Sequence, residues 1–310
     1  MTALPWTADL STALSRRIEA RRLSHALLIS GPSGVGKQRL TEHVVASLLD
    51  MPAPQELAVA VQSAPDLMLV VPEEKKTTIS IDQVRELGQW MTLSSHGPSG
   101  KVAVIVPAES MTIAAANALL KTLEEPVPER WLVLLSNEPS RLPATVLSRC
   151  ERVAVEPPPP KAALEWLVSQ GHEPKIAGEA LAWTNGSPLD ASSVISSGKM
   201  ETLSRLREGL QGLLSRRGSR FELAGQLEGL EFAEILNALR KTAIELIRAR
   251  NGVEMGITSD FSGYVIDLRG LFCYLDVLNK ATRLQSGSFN VELMLENLLA
   301  PWTQGFSQAA

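Results

Sequence analysis

The octapeptide Gly31-Pro32-Ser33-Gly34-Val35-Gly36-Lys37-Gln38 has the residue types of a phosphate cradle. Glycines at 31, 34 and 36 let backbone N–H groups turn inward, and Lys37 is long enough to reach the outer phosphates of a nucleotide. The apolar run Ala26–Ser30 leads into the loop and a helical pattern through Asp50 leaves it. That order places a helix N-terminus, with its positive potential, beneath the phosphates. ATP or ADP is the ligand this implies; the plainer reading is a Gly-rich turn that binds nothing. Gln38 departs from the pattern. The position after the lysine ordinarily carries Ser or Thr, whose hydroxyl holds Mg²⁺, and a longer amide sits differently. Nucleotide binding without a correctly placed metal is the expectation.

Other chemistry is sparse. His25, His43, His96 and His172 show no metal spacing, and no nucleophile–base signature stands out. His25, just before the first apolar run, reads as a packing or hydrogen-bonding residue. Cys150 and Cys273 are too few for a disulfide framework or a four-thiolate zinc site, and read as small buried hydrophobes. With 30 basic and 34 acidic side chains the net charge is −4, which disfavours strong independent binding to nucleic acid. No stretch approaches the ~18 apolar residues of a membrane helix, and the first residues lack a basic start and apolar run, so a secretory signal is not expected.

The elements that must position the loop follow from hydropathy. Apolar runs at Ala26–Ser30, Leu67–Val71, Lys101–Val106 and Trp131–Ser136, with a weaker one at Arg152–Val155, suit strands buried on both faces of a parallel sheet. Helical patterns lie between them. Ser80–Met91 opens with capping-box spacing between Ser80 and Gln83, and Thr112–Glu125 is stopped by Pro126 and Pro128. Strands alternating with helices predict a doubly wound α/β domain. Pro157–Pro160 read as a stiff connector. Beyond them Lys161–Gln170, Pro174–Trp183 and a segment from Pro188 predict short helices. Ser192–Gly198 reads as a soft boundary, and everything from Lys199 onward as helical: Met200–Leu214, Phe221–Leu230, Glu231–Arg250, Gly263–Gln285 and Asn290–Trp302.

Asn117-Ala118-Leu119-Leu120-Lys121-Thr122-Leu123-Glu124-Glu125-Pro126, followed by Leu147-Ser148-Arg149-Cys150, resembles bacterial clamp-loader subunits of the AAA+ family. The segment His25–Lys37 is similar too, and the likeness covers about residues 25–190. The resemblance implies a P-loop AAA+ domain over residues 1–156, with a parallel five-stranded sheet and helices on both faces. It further implies a helical lid over 157–198 and an all-α collar over 199–310. The collar of such proteins joins gamma/tau and delta subunits in a hetero-pentameric ring, which opens the sliding clamp and loads it on primed DNA. The implied setting is the cytoplasm, within the DNA-directed DNA polymerase holoenzyme, a nucleotidyltransferase complex, with no membrane contact.

Relatives that hydrolyse ATP end the strand aligned with Lys101–Val106 in Asp-Glu, where this chain has Val106-Pro107. Neither residue can hold a cation or accept a proton. Glu109 is the nearest carboxylate, in a shifted register. The lid motif Gly-Ser-Leu-Arg stands here as Gly186-Ser187-Pro188-Leu189, without its arginine. Gln38, Val106, Pro107 and Leu189 all bear on one reaction, so the isolated chain is expected not to hydrolyse ATP. The alternative, a gamma/tau-like motor subunit or another P-loop ATPase, needs the missing acidic pair. Arg149 carries two readings: a surface ion pair, or, as the resemblance implies, an arginine reaching across an interface into a neighbour's ATP site. Lys121 either borders a DNA-facing chamber or pairs with Glu125. Many relatives carry four cysteines between the first helix and second strand. Residues 50–66 have none, so zinc is not expected, and no cofactor is expected to be required.

Overall fold

The computed structural model describes residues 4–52, 56–227, 232–251, 261, 264–283 and 291–308. The chain divides into two compact units, Met1–Ala162 and Ala163–Ala310.

The first unit opens with a 3₁₀ turn, Pro5–Thr7, and continues through α1 (Ala8–Glu19), β1 (Ala26–Ser30), α2 (Lys37–Leu49), α3 (Leu57–Ala60), β2 (Leu67–Val70), α4 (Ile81–Thr92), β3 (Lys101–Ile105), α5 (Ile113–Glu124), β4 (Arg130–Ser136), α6 (Ala144–Leu147) and β5 (Glu151–Ala154). The five strands form one parallel sheet in the order β2-β3-β4-β1-β5. Each predicted apolar run is a strand, with ends shifted by at most one residue. Alternation within the strands divides the core in two. Ala26 and Leu28, Ala103 and Ile105, and Leu132 and Leu134 pack on one face with α4 and α5. Leu27 and Ile29, Val102 and Val104, and Val133 and Leu135 pack on the other with α1 and α2. A sheet covered on both faces needs continuous apolar strands, which is why these segments lack polar alternation.

Local signals fix the helix starts. Ser80 Oγ accepts from the Gln83 N–H, while Gln83 Oε1 accepts from the Ser80 N–H, completing the predicted capping box of α4. Thr112 caps α5 in the same way through the Ala115 N–H. Helix α1 escapes the hydropathy reading, although Leu10, Leu14 and Ile18 fall on one face and pack on the sheet. Arg17 on α1 forks onto the Glu151 carboxylate, tying the helix to edge strand β5 and holding that carboxyl below its ordinary range.

The second unit contains α7 (Pro160–Ser169), which begins at the unit boundary, then α8 (Pro174–Trp183), α9 (Pro188–Ser196), α10 (Lys199–Leu214), α11 (Arg220–Gln226), α12 (Phe232–Arg250), β6 (Tyr264–Ile266), α13 (Leu268–Arg283), α14 (Val291–Leu299) and β7 (Phe306–Gln308). Three expectations need correction. Pro160 does not extend the connector; it opens α7, where a missing N–H costs nothing. Ser192–Ser196 is helical rather than a soft stretch, and the break comes at Gly198, which takes φ +70°. The C-terminal region is not purely helical: β6 and β7 pair antiparallel. Tyr264 and Phe306 on those strands join Phe261, Tyr274 and Trp302 in an aromatic cluster with ring centroids 5.0–6.3 Å apart. Aromatic and β-branched residues there favour extended backbone over helix. The predicted ends at Leu230, Glu231, Gly263, Gln285 and Asn290 lie outside the described residues.

Glu245, on α12, is 1% exposed, and neither carboxylate oxygen has a hydrogen-bond partner among the described residues. Burial pushes its carboxyl up to about 7, with Arg207, Lys241 and Arg248 pulling the other way. The folded chain therefore binds this proton more tightly than the unfolded chain, whose carboxyl titrates near 4.5. Its contribution is fully present below that value and fades as pH rises through 7. Glu245→Gln is expected to raise stability by about 2 kcal/mol at pH 8 and to change it little at pH 5, as read by thermal unfolding.

Candidate functional site

The phosphate loop leaves the carboxyl end of β1, which lies between β4 and edge strand β5. Gly31 donates its N–H to the Ser136 carbonyl at the end of β4, 3.2 Å away, and lies against the end of β5. A Cβ at Gly31 would stand 2.1 Å from the Val155 carbonyl oxygen, so only glycine fits. Gly36 takes φ +96°, and a Cβ there would meet Leu4 at 2.3 Å. These two glycines let the loop fold tightly between two strand ends and the start of α2. Lys37 opens α2 and is 7% exposed; its Nζ donates to the Pro32 carbonyl, closing the loop on itself.

The N-terminal segment lies against this loop. Trp6 Nε1 donates to the Val35 carbonyl at 2.8 Å, Leu4 is 2% exposed against Gly36, and Thr7 is buried beside it. Sequence reasoning missed these residues because one Leu and one Trp in a short turn carry no periodicity. The only available signal was the helix α1 that follows them.

Polar groups near the start of α2 and past the end of β3 bond to one another or to backbone. Gln38 Nε2 donates to Glu42 Oε1 at 3.1 Å, so the amide that replaces the usual hydroxyl is engaged one turn along its own helix. Glu42 is 2% exposed, and burial raises its carboxyl above the ordinary range against the opposing pull of Gln38 and Arg39. Past the end of β3, Val106 and Pro107 present only aliphatic side chains. Glu109 follows on the 3₁₀ turn Ala108–Ser110, and its Oε1 accepts the Asn137 N–H at 2.9 Å. Among the described residues no group of three His, Cys, Asp or Glu gathers as a metal site.

The second predicted constellation spans α5 and the turn after α6. Asn117, Lys121, Glu124 and Glu125 are exposed and Thr122 is half-buried. Lys121, Thr122 and Glu125 line a groove with Arg85 and Arg130, but Lys121 and Glu125 form no ion pair. His25 Nε2 lies 3.0 Å from the Leu123 carbonyl, the hydrogen-bonding role its sequence position suggested. Arg149 instead reaches α5: its Nη2 stands 2.5 Å from Glu124 Oε1, and its Nη1 donates to the Thr145 carbonyl at 3.0 Å. Ser148 Oγ also donates to Thr145. Cys150 is buried, and desolvation pushes its thiol up to about 11, which makes it a packing residue. Cys273, expected to be buried, is exposed on α13. In the second unit, half-buried Leu189 occupies the first turn of α9 where the resemblance calls for an arginine.

A β2-β3-β4-β1-β5 parallel sheet, a phosphate loop after its interior strand β1 and a following set of helices define a P-loop protein of the AAA+ class. The gamma subunit-related protein of DNA polymerase III from Thermotoga maritima shares this fold, with TM-score 0.52 and 22% identity over 95% of this chain and 99% of that one. The family described as DNA polymerase III, delta subunit, matches residues 6–159. DNA polymerase III subunit delta' of Pseudomonas aeruginosa is 32% identical over 96% of each chain. The subunit delta' of Escherichia coli is 30% identical over 85% of this chain and 82% of its own. The chain belongs to the delta' subunits of DNA polymerase III.

The close approach at Gly31 gives a direct test of the loop geometry. Gly31→Ala is expected to cost about 2–4 kcal/mol, because backbone rather than a pliable side chain blocks the new methyl. Gly88→Ala, within α4 and 3.5 Å from Thr122 Oγ1, should instead be neutral or stabilising by about 0.5–1 kcal/mol. Denaturant unfolding of both variants reads the difference.

Proposed function

We propose that this chain works as a non-hydrolysing subunit of the DNA polymerase III clamp loader, and that Arg149 completes the ATP site of a neighbouring gamma/tau subunit. Membership of the delta' family supports the assembly role. The observation that carries the non-hydrolysing part is the carboxyl edge of β3, where aliphatic Val106 and Pro107 stand in place of an acidic pair. Hydrolysis on this fold needs a held Mg²⁺ and a carboxylate that activates water. Gln38 is committed to Glu42, and Glu109 is engaged by the Asn137 N–H. Gly31–Lys37 retain the shape for a phosphate, so ATP or ADP is at most a bound, unreacted ligand, with no zinc or other cofactor.

Arg149 supports the second half of the proposal by its location. It lies on the turn between α6 and β5, about a third exposed, with a planar guanidinium suited to the charge of a transferring phosphoryl group. The ring that brings it to a neighbour would contain gamma/tau and delta subunits and act on the sliding clamp and primed DNA in the cytoplasm. Among the described residues no helix is long and apolar enough to cross a membrane.

Size exclusion should show the chain co-eluting with gamma/tau and delta. The Arg149→Ala chain should assemble equally well, yet slow ATP hydrolysis by the reconstituted complex by at least about tenfold. An unchanged rate removes Arg149 from the mechanism.

A further inference from the structure

We infer that Glu124 restrains Arg149, so that the arginine reaches a phosphate only when this carboxylate lets go; the inference rests on the proposed role of Arg149 across the interface. In this chain both terminal nitrogens of the guanidinium contact groups of its own subunit. Nη2 meets Glu124 Oε1 at 2.5 Å, while Nη1 donates to the Thr145 carbonyl and, at 3.4 Å, to Ser148 Oγ. The two carbonyl and hydroxyl contacts are local to the turn and carry no net charge. Glu124 is different: it comes from the last residue of α5, 25 positions away in sequence, and neutralises the positive charge that a phosphate would need.

A carboxylate and a phosphoryl oxygen compete for the positive charge at Nη2 and repel each other, so holding Glu124 there disfavours a phosphate. Glu124 and Arg149 are 50% and 36% exposed, which makes the pair weak enough to open. An exposed ion pair of this kind changes an equilibrium by up to about fivefold, a tuning effect rather than a block. The restraint also joins two parts of the molecule. Helix α5 carries Lys121 one turn before Glu124, on the groove with Arg85 and Arg130. Any ligand that shifts the end of α5 therefore changes how freely Arg149 extends.

The test is a double-mutant cycle in the reconstituted complex, with ATP hydrolysis measured for wild type, Glu124→Gln, Arg149→Ala and the double variant. Glutamine keeps the shape and a hydrogen-bond acceptor but drops the charge. Glu124→Gln is expected to raise kcat/KM for ATP by about two- to fivefold, with no effect in the Arg149→Ala background. A subunit merely loosened by losing a surface contact would not show that dependence on Arg149. If Arg149→Ala slows the complex but Glu124→Gln leaves it unchanged or slower, the restraint is wrong while the interfacial arginine stands. If Arg149→Ala leaves the rate unchanged, the interfacial arginine is wrong and the restraint falls with it.

Discussion

The close approach of Gly31 to the end of β5 is the contact on which the candidate site depends. Parallel strands buried on both faces leave their carboxyl edge as the place where polar chemistry can gather, and the loops there must pass within van der Waals distance of neighbouring strand ends. Gly31 sits against the Val155 carbonyl and hydrogen-bonds Ser136, so the phosphate loop is stitched to β5 and β4 at its first residue. Arg17 and Glu151 then hold α1 to the same edge strand, and the turn before α1 lays Leu4 and Trp6 along the loop.

On that scaffold the proposed cradle is flanked by side chains that engage one another or backbone, rather than by an acidic pair. Each change is local. Gln38 bonds to Glu42 within one helix, Val106 and Pro107 extend the apolar character of β3 past its end, and the Asn137 N–H claims one oxygen of Glu109.

The sheet was legible in the sequence because its strands are continuous apolar runs, and the caps of α4 and α5 because Ser80, Gln83 and Thr112 act on their own backbone. The phosphate loop and the Ser148-Arg149-Cys150 turn were legible as motifs. What the sequence hid was contact between distant residues: Trp6 with Val35, Arg17 with Glu151, and Glu124 with Arg149. Two of these use charged side chains whose spacing carries no period, and the first rests on a single indole. The strand pair β6 and β7 was hidden for a related reason. Three-residue strands joined across 39 intervening positions, Asp267–Gly305, leave no local pattern to set against the helices around them.

The central claim, that the cradle persists without the means to split ATP, is tested most directly by phosphate release from the purified chain at saturating ATP and Mg²⁺, measured beside a Lys37→Ala control. The account predicts that the two release phosphate at the same background rate. A steady turnover in the natural chain that the Lys37 substitution abolishes would contradict it.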